Sequence, residues 1–212
     1  MREAKPASQP RRGSPRWRAN LTWLTDTLAT GGDFDYDDAV AAAQLQDLLD
    51  QRVGVVIDCR VEADDSAIWA PYPEVEYYHL PEDDYYGHHI SPGHFDRAVQ
   101  IARLAQANGK KVFAHCHMGV NRGVTTAFAI LLDRGMSAED AFDLVRARRP
   151  IAGLYYAEDA LRAHLVRQGC GSAESAALVQ RFQQHRDAVF GANEVAKVQH
   201  TIRQTHLNRG DL

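Results

Sequence analysis

Residues 112–124 read VFAHCHMGVNRGV, and the rest of the chain is interpreted outward from them. Lys111 to His115 is a short apolar run of the kind that forms a buried strand. Cys116 stands at its end, Arg122 follows six positions later, and an apolar helix pattern runs from Gly123 to Arg134 until Gly135 stops it. The five residues between Cys116 and Arg122 have the length to curl into a loop whose N–H groups point inward. Such a loop at a helix N-terminus is an anion nest. Gly119 lets its backbone turn tightly. The same positive potential favours a thiolate, the form in which cysteine attacks. An arginine after the loop holds two phosphate oxygens at once, which lysine does not. The competing interpretation is a core cysteine with an unrelated arginine on the next helix. The coincidence of strand end, His-Cys, glycine, arginine and helix start weighs against it.

Moving outward, the chain alternates strands and helices. Leu21 to Thr30 suggests a strand pair closed by Gly31-Gly32, and Tyr36 to Arg52 carries an apolar stripe at helical spacing. Val53 to Ile57 and Val75 to Leu80 are further strands. Ser91-Pro92 opens a helix that Asn108-Gly109 closes. Ser137 to Asp140 resembles a capping box before a helix that runs to Pro150, and another helix spans roughly 157–168. This order predicts an α/β fold, a central mostly parallel sheet with helices on both faces. Residues 171–212 show helical patterns without strands and read as a C-terminal helical extension, an appendage or a partner-binding surface. Residues 1–18 form a basic arm with Arg and Lys among Pro and Ser.

The composition excludes several classes. A hydrophobic share of 45% is enough for a core, and a net charge of -4 gives no sign of a nucleic-acid partner. No apolar run has the length of a membrane helix. The first twenty residues lack the apolar stretch of a secretory signal. Three cysteines, Cys59, Cys116 and Cys170, make no even framework, which points to a reducing, cytoplasmic setting.

The stretch around Cys116 resembles the H-C-x5-R signature of the cysteine-dependent tyrosine and dual-specificity phosphatases. The resemblance covers roughly residues 20–168. It includes HLPEDDYYGHHISPGHFDRAVQIARLAQANGKKVFAHCHMGVNRG and, further on, AFAILLDRGMSAEDAFDLVRARRP. It implies a phosphatase domain over 19–170, with Cys116 as nucleophile and Arg122 as phosphate clamp. His115 would orient the loop, and His117, Met118, Gly119, Val120 and Asn121 would line the pocket with backbone amides. The implied substrate is a phosphorylated protein or peptide, attacked through a phosphocysteine intermediate without a cofactor or metal. Oligomeric state stays open.

The leaving oxygen needs a proton donor. Glu82, Asp83 and Asp84 are the candidates. Asp84 fits the family spacing, seven residues before Ser91, with Asp83 second. The chain is short between strands, which suggests a shallow pocket open to phosphotyrosine, phosphoserine and phosphothreonine. Tyr85 and Tyr86 either wall that pocket or are ordinary loop tyrosines. Two features depart from the family pattern. Gly123 replaces a hydroxyl residue that helps the cysteine leave, so slow turnover is expected. Residues 151–156, IAGLYY, lack the asparagine common after the Arg-Pro pair. Asn121-Arg122 also keeps an RNA 5'-triphosphatase open, with Arg60, Arg148 and Arg149 as suppliers of a basic pocket or as mere surface charges. Phosphoinositide substrates, or a low-turnover phosphoprotein-binding module, stay open too. His79, His88, His89, His94, His115 and His117 crowd this region without the regular ligand spacing of zinc. Cys59, at the end of the adjacent strand, is a possible redox partner of Cys116, because some phosphatases of this fold keep a resolving cysteine there.

Overall fold

The computed structural model describes residues 17–85 and 87–191. Most of the basic arm, Tyr86, and the helical patterns beyond residue 191 lie outside the described residues. Five strands, β1 (Leu21–Thr25), β2 (Leu28–Gly31), β3 (Val53–Arg60), β4 (Glu76–Glu82) and β5 (Lys111–His115), form one sheet in the order β1-β2-β5-β3-β4. Only the β1–β2 pair is antiparallel; β2, β5, β3 and β4 run parallel. All four parallel strands therefore end at the same edge.

Helices cover both faces, as parallel strands require. On one face lie α1 (Asp38–Asp50) and the four-residue α2 (Ser66–Trp69), whose Leu48 and Trp69 pack on Ala29, Val53, Val56 and Phe113. No periodic pattern in the sequence announces α2. On the other lie α3 (Pro92–Ala107), α4 (Arg122–Asp133), α5 (Ala138–Arg148) and α6 (Ala157–Arg167), packed on Leu28, Val55, Ile57, Cys59, Val112, Ala114 and Cys116. Within β3 and β5 side chains alternate between these faces. Val55, Ile57 and Cys59 join the α3–α6 side while Val56 joins the other.

Local chemistry sets the helix starts. Ser91 accepts the His94 N–H with Pro92 in the first turn, and Ser137 accepts the Asp140 N–H. Helix α4 is buried from Arg122 through Leu132, so it is the central helix of the layer. Helix α7 (Ser172–Phe190) follows α6. Its Phe182 packs against Phe128 and Phe142, and its Phe190 against Phe142. These rings are buried in the same core as the sheet.

Strand β5 feeds α4 on one face, whereas its neighbour β2 feeds α1 on the other. Connections leaving in opposite directions open a crevice at the strand ends, where open α/β sheets bind ligands. Residues 116–121 fill that crevice.

Candidate active site

The loop from Cys116 to Asn121 joins β5 to α4. Its bend needs glycine at 119, where φ is +65° and an added Cβ would lie 2.5 Å from the Gly31 backbone. Around it the chain is held from three sides. The Asp33 N–H donates to the His117 carbonyl at 2.8 Å. Gly153 donates to the Val120 carbonyl at 2.8 Å. Arg149 donates through Nε to the Gly119 carbonyl at 2.6 Å and through Nη2 to the Met118 carbonyl at 3.1 Å. With loop carbonyls engaged outward, loop N–H groups are left for an anion.

Cys116 is buried at the loop's start and Arg122 at its end. Arg122 is gripped by Glu62, whose two carboxylate oxygens each accept a guanidinium N–H at 2.7 Å, and by the Glu82 carbonyl at 3.0 Å. The Arg122 bond holds the Glu62 carboxyl down to about 2, so this partner stays ionised. Arg122 Nε is buried without a hydrogen-bond partner among the described residues. A buried donor left unsatisfied is costly, and a phosphate oxygen is its natural acceptor.

Of the three acids at 82–84, only Asp84 turns its carboxylate to this place. Its Oδ2 lies 3.5 Å from Arg122 Nε, and its Oδ1 accepts from Tyr156 at 2.8 Å and Asn121 at 3.2 Å. Glu82 instead faces His88 and His94 at 3.4 and 3.5 Å. Asp83 is exposed. His117 and Met118 are exposed at the pocket mouth, and Val120 is buried below it.

Below the loop, on the α1/α2 face, β3 ends in a buried ionic cluster. Arg60 bonds Asp58 through Nε and Nη2 at 2.9 and 2.6 Å, Nη2 reaches Asp65 at 2.6 Å, and Nη1 pairs with Asp33. Tyr77 donates to Asp58, and His115 lies 3.8 Å from it. Burial alone would raise the Asp58 carboxyl, but Arg60 outweighs it and holds Asp58 below the usual range. Burial also pushes the His115 imidazolium down, so that ring is neutral. Asp58, Asp65 and His115 converge closely enough to hold a metal ion, yet Arg60 Nη2 already stands 2.6 Å from both carboxylates. The guanidinium fills the cation's place.

Several sequence expectations are corrected here. Arg60 and Arg149 are neither surface charges nor basic lining of a deep pocket. They are 2% and 5% exposed and are spent on the cluster and on the loop carbonyls. Arg148, by contrast, is exposed. Gly123 is more than a missing hydroxyl: a Cβ there would come within 2.6–2.8 Å of the His115 and Cys116 backbone. A hydroxyl residue does not fit without moving β5 or α4. Glu62 and Tyr156 were not recognised from the sequence. Glu62, two residues past a buried strand's end, was the detectable signal; Tyr156 had none beyond its place in IAGLYY.

Cys59 ends on the same face as Cys116. The ladder's last pair is Asp58 with His115, so the next residues on both strands are neighbours. Adjacent strands stand about 4.8 Å apart, within the span of a disulfide. Cys59 Sγ lies 3.4 Å from Thr126 Oγ1, which also contacts His94 Nε2 at 2.9 Å and donates to the Arg122 carbonyl at 3.0 Å. Burial pushes the Cys59 thiol strongly up, so it rests protonated.

Comparison with known proteins gives this geometry a context. The chain matches the family model "Dual specificity phosphatase, catalytic domain" over residues 37–155. It is 37% identical over 78 residues to dual specificity protein phosphatase Mpk3 of Drosophila melanogaster, covering 36% of this chain and 19% of that protein. The match thus spans about a fifth of that relative's length. Tk-PTP in the active form shares the fold with TM-score 0.52 and 19% identity, over 78% of this chain and 97% of that one. DUSP15 shares it with TM-score 0.53 and 19% identity, over 77% and 95%. Among the described residues, no helix is long and apolar enough to cross a membrane.

Proposed function

The chain belongs to the dual specificity phosphatase family, and from that premise we propose that it hydrolyses phosphate monoesters on proteins through a phosphocysteine intermediate. One observation carries this reading: the buried Arg122 Nε, which makes no hydrogen bond among the described residues, faces the Asp84 carboxylate at 3.5 Å beside the loop that Cys116 begins. A phosphate seated on the loop amides takes that N–H as its missing partner. Cys116 Sγ then attacks phosphorus, and the P–O bond to the substrate breaks. Asp84 gives its proton to the leaving oxygen. A water next attacks phosphorus with Asp84 as the base, the P–S bond breaks, and the Cys116 thiolate returns. Tyr156 and Asn121 hold the Asp84 carboxylate in place through both steps.

In the second step charge develops on sulfur, and donors aimed at it lower the barrier. Thr126 is engaged with Arg122, His94 and Cys59, and Gly123 carries no hydroxyl. Breakdown of the phosphocysteine is therefore the slower step. Oxidation of Cys116 by a hydroperoxide to the sulfenic acid would let Cys59 attack its sulfur, giving a disulfide and water.

The deciding experiment is release of a chromophoric phenol from an aryl phosphate. Wild type should show a burst followed by a slower steady state, without added metal. Cys116→Ser should lose turnover and keep phosphate-ester binding. Substantial activity in Cys116→Ser, or a strict need for metal, refutes the thiolate mechanism. Asp84→Asn should slow kcat by about 10²–10⁴-fold for a poor leaving group, and far less for one that needs no proton.

A further inference from the structure

The four loops at the site's edge have an unusual charge inventory. Residues 32–37, 61–65, 83–91 and 116–121 hold eight carboxylates, Asp33, Asp35, Asp37, Glu62, Asp64, Asp65, Asp83 and Asp84, and no lysine or arginine. The parallel strands bring all four loops to one edge. Four of these carboxylates are paired with arginine internally, Asp33 and Asp65 with Arg60, and Glu62 and Asp84 with Arg122. Asp37, Asp64 and Asp83, with Asp38 at the start of α1, are exposed to solvent. The neighbouring histidines stand opposite acids, His88 with Glu82, His89 with Asp159, His117 with Asp33 and His79 with the exposed Asp64.

The floor of the pocket has the opposite character. Arg122, 4% exposed, offers a buried Nε–H that makes no hydrogen bond among the described residues and lies 3.5 Å from Asp84 Oδ2, beside the loop of residues 116–121. The site thus presents a guanidinium N–H at the bottom and carboxylates at the rim. Two rings stand within that rim: Tyr36, 90% exposed between Asp35 and Asp37, and Tyr85, 61% exposed beside Asp84. A guanidinium or ammonium is drawn both to carboxylates and to such ring faces.

We propose that the substrates are phosphorylated protein segments with arginine or lysine within a few residues of the phosphorylated side chain. The inference rests on the phosphatase reading above and adds its selectivity. The phosphate meets Arg122 while the flanking cations meet Asp37, Asp38, Asp64 and Asp83 and stack on Tyr36 or Tyr85. A polyphosphorylated inositol lipid or an RNA 5'-triphosphate brings further negative charge to the same carboxylates. Like charges repel, and Arg60 and Arg149, being buried and engaged, do not offer themselves at the rim to relieve them.

The test compares kcat/KM on three peptides with one phosphotyrosine and arginine, alanine or glutamate flanks, with an aryl phosphate as reference. The arginine peptide should exceed the glutamate peptide by about 10-fold or more at low salt, the scale on which field complementarity changes association. The gap should shrink in about 0.5 M salt, where the Debye length falls to a few ångströms. A triple variant, Asp37→Asn, Asp38→Asn and Asp64→Asn, should lose most of the preference while aryl phosphate turnover is unchanged. Asn at position 37 keeps the helix cap. Equal rates on all three peptides, or faster turnover of an inositol phosphate or RNA triphosphate than of the arginine peptide, overturn the proposal. Absence of aryl phosphate turnover refutes the phosphatase reading instead. Binding of the same peptides to the Cys116→Ser protein then decides the rim on its own: preference for arginine flanks supports it, indifference removes it.

Discussion

The last three residues of β3 carry two different chemistries a residue apart. Asp58 and Arg60 project onto the α1/α2 face and, with Asp33 and Asp65, form a buried ionic cluster. Cys59, between them, projects onto the α3–α6 face beside Cys116, Thr126 and His94. The first face holds charge in fixed pairs and supports the loop of residues 116–121 through the Asp33 N–H and the His117 carbonyl. The second is mainly apolar and brings two cysteines, the Thr126 hydroxyl and the neutral His94 imidazole together. Segregation by strand parity lets three carboxylates sit under the loop of residues 116–121 without standing beside Cys116.

The sharpest way to break this contrast is to remove its central cation. Arg60→Met leaves Asp58, Asp65 and Asp33 buried without their partner, and unpairing a buried charge costs about 3–5 kcal/mol. Urea unfolding should show that loss, with a partial recovery at low pH where the carboxylates take protons. A variant as stable as wild type would mean that the cluster contributes nothing to holding the loop.

On the opposite face the sensitive group is His94. Burial lowers its folded pKa to about 4, against 6.5 when free. The unfolded chain therefore binds the extra proton first as pH falls. The contribution is complete above about pH 6.5 and is lost progressively toward pH 4, amounting to about 3 kcal/mol. Stability of wild type measured between pH 7 and 4 should fall accordingly, and His94→Gln should flatten that part of the curve. An unchanged slope in His94→Gln would assign the acid sensitivity to other groups.

Gly123 joins the two faces, since its Cα hydrogen packs on the end of β5. Gly123→Ala should destabilise by about 1–3 kcal/mol through overpacking and should slow the burst as the loop shifts. A burst rate equal to wild type would show that α4 moves away freely. The smallest effect belongs to Cys59→Ala, a small apolar trim in a packed layer, about 1 kcal/mol by thermal unfolding. Its value lies in the redox readout: hydrogen peroxide should inactivate wild type reversibly by thiol and Cys59→Ala irreversibly. Equal reversibility in both proteins removes Cys59 as the resolving thiol.

The elements next to Cys116 were legible because their signals are local. An apolar strand, a five-residue loop with Gly119 and an apolar helix occupy adjacent positions, and Ser91 and Ser137 announce their helices within one turn. Spacing from Ser91 singled out Asp84, and the structure places its carboxylate 3.5 Å from Arg122 Nε. The partners that hold the site were not legible. Glu62 meets Arg122 across sixty positions, Arg149 reaches Gly119 across thirty, and Tyr156 meets Asp84 across seventy-two. Arg148 and Arg149 are adjacent, yet one is exposed and the other buried.

What the sequence by itself determined is the setting of Cys116: strand, glycine-containing loop, arginine and helix, because each is encoded by residues in contact along the chain. Tertiary structure alone decided which charges are spent and which are offered. A guanidinium looks the same in the sequence whether it faces solvent or three carboxylates. The parallel register of β2, β3, β4 and β5 gathers Asp33, Asp58, Arg60 and Asp65 into one buried group and leaves Asp37, Asp38, Asp64 and Asp83 at the rim. Pairing at 2.6 Å in a low-dielectric interior silences a charge, whereas exposure at a strand end leaves it to act on whatever approaches.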